Sequence, residues 1–389
     1  MTERLYYRDS YVHRFRARVL DANAERTRVY LDRTAFYPTS GGQPFDTGTL
    51  GGAAVVDVID EGDRIAHVTA APVATVDVEG VVDGARRFDH MQQHTGQHLL
   101  SAVFIELLDA PTVSFHLGAE TCTIDIQRDS VSAEEIRRVE KRANEIVTEN
   151  RAVTVTFHEA SADLGLRKAS EREGELRIVS IADVDRSACG GTHVRATGEI
   201  GPILIRKLDK IRGTARVEFV CGGRAVLRAR NDFAALQAVS RVLACPLDEA
   251  PVVVATQQER LQAAEKARGR LAAELAKAEG RELWTRTAPG ASGRRFARRA
   301  VTAFTDETRA LALSFAEGAA SCFLATAENP PGVLLATSAD SGLHAGNLLK
   351  SALARHGGRG GGNAMLAQGS VPAPDALQAA GEELEREMK

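Results

Sequence analysis

Tryptophan is all but missing from this sequence, one residue in 389, and aromatic residues make up only 5% of it, so any core must be built mainly from aliphatic side chains. No apolar run approaches the roughly 20 residues that a membrane-spanning helix needs. The N-terminal stretch MTERLYYRDSYVHRF carries charges where a secretion signal requires an apolar centre. Cysteine is scarce and scattered. Cys122, Cys189, Cys221, Cys245 and Cys322 are odd in number, which argues against a disulfide framework and for a reducing, cytoplasmic setting. Cys122, Cys221 and Cys322 lie in apolar, strand-like runs and read as small buried hydrophobes. Charge of one sign is lacking too: the formal net charge is −3, so an RNA-binding face would have to be a local basic patch. The hydrophobic share of 44% and charged share of 26% are those of a globular protein, and the length accommodates two or three domains.

Against this thin supply of metal-binding side chains, two short stretches stand out. The first is His94-Thr95-Gly96-Gln97-His98; the second is Cys189-Gly190-Gly191-Thr192-His193. Each offers two nitrogen or sulfur donors at positions i and i+4. On a helix that spacing puts His94 and His98 on one face, a turn apart. Imidazole and thiolate together suit zinc better than an oxygen-seeking cation. His94, His98, Cys189 and His193 therefore read as one zinc site, one ion per chain, closed by folding. Each half alone has a plain alternative, a solvated or core histidine pair and a Gly-rich turn beside a buried cysteine. A zincin protease is excluded, because that motif needs Glu directly after the first histidine and the position is Thr95.

The expected fold class is α+β multidomain: an N-terminal small β-barrel, an α+β zinc-containing domain, a helical arm and a C-terminal small α/β domain. Residues 1–85 carry YVHRFRARVL, RTRVYLDRT, AAVVDVIDE, RIAHVTA and TVDVEGVVD, short β-branched runs broken by turn residues. Among them FYPTSGGQP, with Gly41 and Gly42, reads on its own as a chain reversal. Residues 86–221 open with a long helix bearing His94 and His98, whose neighbouring apolar face is Leu99, Leu100, Val103, Phe104 and Leu107. TCTIDIQ at 121–127 alternates as a strand. A second helix from Ser130 to Asn150 starts with a capping box of Ser132 and Glu135. AVTVTFHEA and LRIVSIADV are further strands, the latter leading into the CGGTH turn, and a closing hairpin runs through Arg212-Gly213. Residues 222–285 are helical. Leu261, Ala264, Leu271, Leu275 and Ala278 fall at coiled-coil-like spacing, interrupted by Arg268, and fit either a spacer or a homodimer contact. TRTAPGASGRR, 285–295, is a linker. Residues 296–389 alternate strand and helix.

Two basic features lie in that last segment. Arg294, Arg295, Arg298 and Arg299 form the densest cluster in the chain, most simply a solvated face. In HGGRGGGN, Gly360, Gly361 and Gly362 would let backbone N–H groups approach a phosphate, with Arg359 supplying charge and Asn363 closing the loop. The plain alternative is a flexible linker. It is not a nucleotide P-loop, since no Gly-Lys-Ser/Thr follows.

The stretch HTGQHLLSAVF followed by CGGTHV also resembles the editing domain of alanyl-tRNA synthetases, and most of all their freestanding relatives, the AlaX-type alanyl-tRNA editing proteins. TAFYPTSGGQPFDTG at 34–48, VSFHLG at 113–118 and RKLDKIRGTARVEFVCGGRA at 206–225 agree with it. HAGNLLKSALARHGGRGGGNAMLAQGS, 344–370, resembles the DHH-associated C-terminal domain. The resemblance implies a trans-acting deacylase for tRNA(Ala) wrongly charged with serine, and also glycine. It implies that the first module, with Gly41 and Gly42, helps recognise the aminoacyl end of tRNA, and that the C-terminal segment contacts tRNA or a second copy of the chain. Because the sequence opens at the editing region, alanine–tRNA ligase activity is not expected.

Gln97, Ser114 and His116 are the candidates for lining a hydrolytic pocket, and Asp89 and His90 for orienting a ligating histidine. Thr39, Ser40 and Gln97 are the polar candidates to read a serine hydroxyl. Four protein ligands usually mark a closed structural zinc, whereas catalytic zinc keeps a position open. A weak ligand, an expanded coordination shell or a role in positioning the substrate amine each reconciles the two. One rival is a DHH-like metal-dependent phosphoesterase, against which Asp89-His90 is followed by Met91 rather than a second histidine. The other is a non-catalytic tRNA-binding protein with structural zinc.

Overall fold

The computed structural model describes residues 1–160, 165–167, 174–211 and 213–389. Arg212, expected in the closing turn, lies outside the described residues. The chain divides into two compact units, Met1–Ala238 and Val239–Lys389. The four segments read from composition do not coincide with these two units: the expected helical arm, 222–285, runs across the boundary between them.

In the first unit, six strands close into a barrel: Arg14–Ala22, Arg28–Leu31, Ile65–Thr69, Ala53–Asp60, Gly48–Leu50 and Asp77–Val82, in that spatial order. Their alternation works as the sequence predicts. Phe15 and Ala17 are buried while Arg14, Arg16 and Arg18 face out. Gly48–Leu50 was not legible as a strand, being three residues long with no alternation to read.

The barrel leads into helix α1, Gly84–Leu108. The Asp83 side chain caps it by accepting from the N–H groups of Ala85 and Arg86, each at 3.1 Å. From His90 to Phe104, every residue except Gln92 is buried, so this helix is central rather than a surface helix with one apolar stripe. Leu99, Leu100, Val103 and Phe104 are in the core as expected, and Leu107 is half-buried. A four-stranded antiparallel sheet, ordered Ile203–Ile211, Thr214–Cys221, Cys122–Ile126, Thr112–Leu117, packs on α1. A three-stranded sheet, Val153–Glu159, Glu175–Ile181, Asp185–Ala188, shares the same core through Val153, Val179 and Ile181. Helix α2, Ala133–Glu149, begins with the expected capping box between Ser132 and Glu135.

A buried ion pair joins barrel loop to helix. Arg87, in the first turn of α1, and Asp46 are both fully buried. Arg87 also donates to the carbonyls of Ser10 at 2.7 Å and Ala35 at 2.5 Å, and Tyr37 N–H donates to Asp46 Oδ2 at 2.7 Å. The loop carrying Gly41, Gly42 and Gln43 is thereby held against α1.

Helix α3, Gly222–Leu243, contains the boundary between the units. In the second unit, helix α4, Ala250–Arg286, packs on helix α5, Asp306–Ala316, where Ser314 Oγ donates to the Lys277 carbonyl at 2.9 Å. Leu261, Leu271 and Leu275 are 60%, 63% and 72% exposed, so the coiled-coil-like seam has no partner within the described residues. A five-stranded mixed sheet follows in the order Arg295–Val301, Ser321–Glu328, Pro331–Thr337, Leu366–Ser370, Arg359–Gly362. Helices α6, Ala345–Arg355, and α7, Pro374–Met388, pack on it. None of the described helices is long and apolar enough to cross a membrane.

Two expectations for this unit need correction. The Gly-rich run is not a loop: Arg359–Gly362 is an edge strand paired with Leu366–Ser370. A side chain at Gly360 would meet Leu353 Cδ1 of α6 at 2.7 Å, so glycine there lets helix and sheet edge approach. Asn363 serves the turn, its Oδ1 accepting from the N–H groups of Met365 and Leu366 at 2.9 Å each. The arginine cluster is tied down by partners, although Arg298 stays exposed. Arg298 pairs with Glu385 at 2.8 Å, Arg299 with Glu279 at 2.9 Å, and Arg294 donates to the Ser341 carbonyl at 3.0 Å.

Candidate metal centre

His94, His98, Cys189 and His193 converge, with one potential ligand atom from each lying within 4.8 Å of all the others. Helix periodicity presents the first pair. The second pair comes from the turn after strand Asp185–Ala188. The three histidines are buried and Cys189 is partly exposed. Cys189 Sγ is 3.5 Å from His94 Nε2 and 3.3 Å from His193 Nε2.

Each imidazole is held from behind through its other nitrogen. His94 Nδ1 meets Gln43 Oε1 at 2.8 Å. His98 Nδ1 meets Asp185 Oδ2 at 2.8 Å. His193 Nδ1 meets the Thr95 hydroxyl at 3.1 Å. The first two partners determine where the ring proton sits. A carboxylate can only accept, so His98 donates from Nδ1. Thr192 N–H donates to Gln43 at 3.2 Å, which identifies the facing amide atom as oxygen, so His94 also donates from Nδ1. Its Nε2 lone pair then points toward Cys189.

Burial alone would raise the Cys189 thiol. The adjacent imidazoles of His94 and His193 outweigh it and hold the thiol well below its ordinary range, as a thiolate. Burial takes His193 down to about 3, leaving it neutral. Burial would lower His98 too, but hydrogen bonds to Asp185 and Cys189 push it up to about 9. Asp185 is lowered despite its burial, through that same hydrogen bond. With two anions facing it, the cluster demands positive charge. A proton on His98 supplies one charge; a divalent ion on the same four atoms would supply more.

The donor set fits zinc. Bond lengths of about 2.3 Å to sulfur and about 2.1 Å to nitrogen give a tetrahedral S···N edge of about 3.6 Å, close to the two separations above. The outer partners supply the orientation such a site requires. Gln43, Thr95 and Asp185 were not singled out in the sequence. Gln43 stands inside the FYPTSGGQP run, which was itself a signal, whereas nothing local marks Thr95 or Asp185.

Other candidates are placed differently. Asp89 holds Arg224 at 2.6 Å and so orients no ligating histidine, and His90 Nδ1 is buried without a partner. Gln97 is buried on α1 and donates to Ser101 Oγ at 2.8 Å. Ser114 and His116 are not brought to the cluster. Phe115 faces His94, ring centroids 5.3 Å apart, and strand alternation turns its two neighbours to the opposite, exposed face. There Ser114 Oγ donates to Asp125 at 2.6 Å. Gly41 and Gly42, at φ 55° and 85°, make the tight turn between Ser40 and Gln43 that presents Gln43 to His94. Ser40 is exposed at that turn, and Thr39 Oγ1 accepts from Phe45 N–H at 3.1 Å.

Comparison with known proteins agrees with the motifs. Residues 176–217, including Cys189 and His193, match the family described as Threonyl and Alanyl tRNA synthetase second additional domain. Residues 300–389 match the DHHA1 domain. The chain is 36% identical over 241 residues to the alanyl-tRNA editing protein AlaX-L of Pyrococcus horikoshii, covering 58% of this chain and 59% of that one. It is 31% identical over 269 residues to the alanyl-tRNA editing protein Aarsd1 of Rattus norvegicus, covering 63% and 65%. The chain is similar to the AlaX-type alanyl-tRNA editing proteins. It is also 31% identical over 395 residues to an alanine–tRNA ligase of Methanoregula boonei, a match covering 97% of this chain and 42% of the ligase. In each case the chain spans less than two thirds of the relative's length.

Proposed function

We propose that this chain hydrolyses the ester of mischarged tRNA(Ala), chiefly Ser-tRNA(Ala) and also Gly-tRNA(Ala), at the His94, His98, Cys189 and His193 cluster with one zinc ion. The observation that carries the reading is three imidazoles and a thiolate converging on one point, each histidine held at Nδ1, in a chain similar to alanyl-tRNA editing proteins.

Zinc held by these four residues would supply Lewis acidity for the ester or a site for the substrate amine. The chain's own residues do the rest. Gln43, Asp185 and Thr95 keep the rings aimed, which a loosely held donor set could not do. The burial of the three histidines keeps bulk water from their side of the cluster. Access is left on the partly exposed Cys189 side. Ser40 and Thr39 belong to the loop that delivers Gln43, so they remain the polar candidates for the serine hydroxyl, with Gln97 on α1. A site that hydrogen-bonds that hydroxyl leaves polar groups unpaired when alanine is bound, which allows discrimination of about ten-thousandfold. The synthetase pocket for alanine has no such lever against serine, which adds only a hydroxyl.

Arg359, exposed on its edge strand, is the proposed tRNA-backbone contact of the second unit. The phosphoesterase alternative is disfavoured, because the only metal-donor cluster among the described residues is imidazole and thiolate rather than carboxylate.

The test is zinc content, followed by single-turnover deacylation of Ser-tRNA(Ala), Gly-tRNA(Ala) and Ala-tRNA(Ala), with and without chelator, beside cleavage of an oligonucleotide. Fast, chelator-sensitive loss of serine with alanine retained is expected. Equal rates on Ser-tRNA(Ala) and Ala-tRNA(Ala) would remove the proofreading reading.

A further inference from the structure

Behind the Cys189 turn lies a charge with no role so far. Arg177, in strand Glu175–Ile181, is only 7% exposed. Its Nη1 donates to the Cys189 carbonyl at 2.6 Å and its Nε to the Tyr7 carbonyl at 2.9 Å. Cys189 N–H donates back to the Arg177 carbonyl at 3.1 Å, so the two residues are tied through both side chain and backbone. The third nitrogen, Nη2, is buried with no hydrogen-bond partner. Cys189, Tyr7, Tyr37 and Tyr6 are among the groups that lie close to this guanidinium.

Burying a guanidinium is costly, and a fold keeps one there where its grip is needed. We infer that Arg177 is a positioning residue for the metal centre: by holding the Cys189 carbonyl it sets where Sγ points. His94, His98 and His193 each have a hydrogen-bonded partner at Nδ1; a thiolate has no second nitrogen to grip. Holding its main-chain carbonyl is the equivalent arrangement for sulfur. The Tyr6, Tyr7 and Tyr37 rings pack behind it, Tyr6 lying 5.1 Å from Tyr7 and 5.3 Å from Tyr37 between centroids, and shield the charge from water.

This inference rests on the reading of the cluster as a metal site, and Co2+ separates the two. Wild-type protein is titrated with Co2+ and the sulfur-to-metal charge-transfer absorption is recorded, then the same is done with Arg177→Gln and Arg177→Lys. Arg177→Gln should weaken Co2+ binding about tenfold to a hundredfold, as loss of an outer partner does, and move the charge-transfer band. Arg177→Lys keeps the charge but not the two-carbonyl grip, so it should also move the band and regain only part of the affinity. Wild-type affinity and an unmoved band in Arg177→Gln would overturn the inference. If that variant fails to fold by circular dichroism, Arg177→Lys decides, and full affinity with an unmoved band there overturns it. Wild-type protein that takes up no Co2+ would instead remove the metal reading itself.

Discussion

One carboxamide, that of Gln43, grips both halves of the metal-donor set. Its oxygen accepts from His94 Nδ1 at 2.8 Å and from Thr192 N–H at 3.2 Å, while its nitrogen donates to Thr192 Oγ1 at 2.8 Å. His94 lies 51 residues further along the chain and Thr192 lies 149 residues further. A barrel loop therefore sets the tautomer of a helix ligand and the position of the turn that carries Cys189 and His193.

Gln43→Leu should bind zinc about tenfold to a hundredfold more weakly, because His94 loses its orienting acceptor and Thr192 N–H is left unpaired. Competition against a chromophoric chelator measures this. Wild-type affinity in a folded Gln43→Leu protein would contradict the proposed role.

His94→Ala and Cys189→Ala each remove one of four donors, so zinc content and deacylation should fall together. Cys221→Ala, a buried thiol outside the cluster, should leave the metal in place. Metal analysis of the purified variants is the check, and full zinc occupancy in the Cys189 variant would sink the assignment.

Asp46→Ala would strand a fully buried guanidinium, that of Arg87. Breaking such a pair on one side costs about 3–5 kcal/mol. A clear fall in thermal or urea stability is expected, together with weaker zinc binding, since the freed loop carries Gln43. Replacing both partners with apolar residues should recover stability more than zinc affinity.

His67 makes the barrel acid-sensitive. It is fully buried, burial lowers it to about 4 from an ordinary 6.5, and Thr34 Oγ1 lies 2.7 Å from its Nε2. Between those values the unfolded chain binds a proton that the folded one does not, so stability rises with pH there. The contribution is complete above pH 6.5, falls as pH drops toward 4, and is constant below, amounting to about 3 kcal/mol at most. Urea unfolding across that range should show the slope, and His67→Gln should flatten it even if it lowers stability overall.

Removing the second unit should weaken tRNA binding and reduce its salt dependence, if Arg359 and its neighbours hold RNA backbone. Turnover at saturating tRNA should change less. The cut belongs near Leu243 rather than in the 287–294 linker, because α4 packs against α5 and would otherwise lose its partner. Unchanged affinity and salt slope in the folded fragment would exclude an RNA clamp.

What the amino-acid order determined by itself was whatever depends on near neighbours. The i, i+4 placement of His94 and His98, the capping box of Ser132 and Glu135, and the alternation of the barrel strands are local properties, legible one turn or one strand at a time. The grouping of His94, His98, Cys189 and His193 was legible because few residue types supply imidazole or thiol and the chain has few of them. Tertiary structure alone decided what stands behind those donors. Gln43, Asp185 and Arg177 are ordinary polar residues until barrel, helix and sheet pack together, and then each becomes the partner of a particular ligand. It likewise turned Ser114 and His116 away, since one face of their strand is claimed by Phe115 against His94. It made an edge strand of Arg359–Gly362, where a side chain at Gly360 would meet Gly369 and Leu353. The physical reason is common to all of these: hydrogen bonds and van der Waals contacts act over a few ångströms of space, and which residues share that space is settled by packing over long sequence separations.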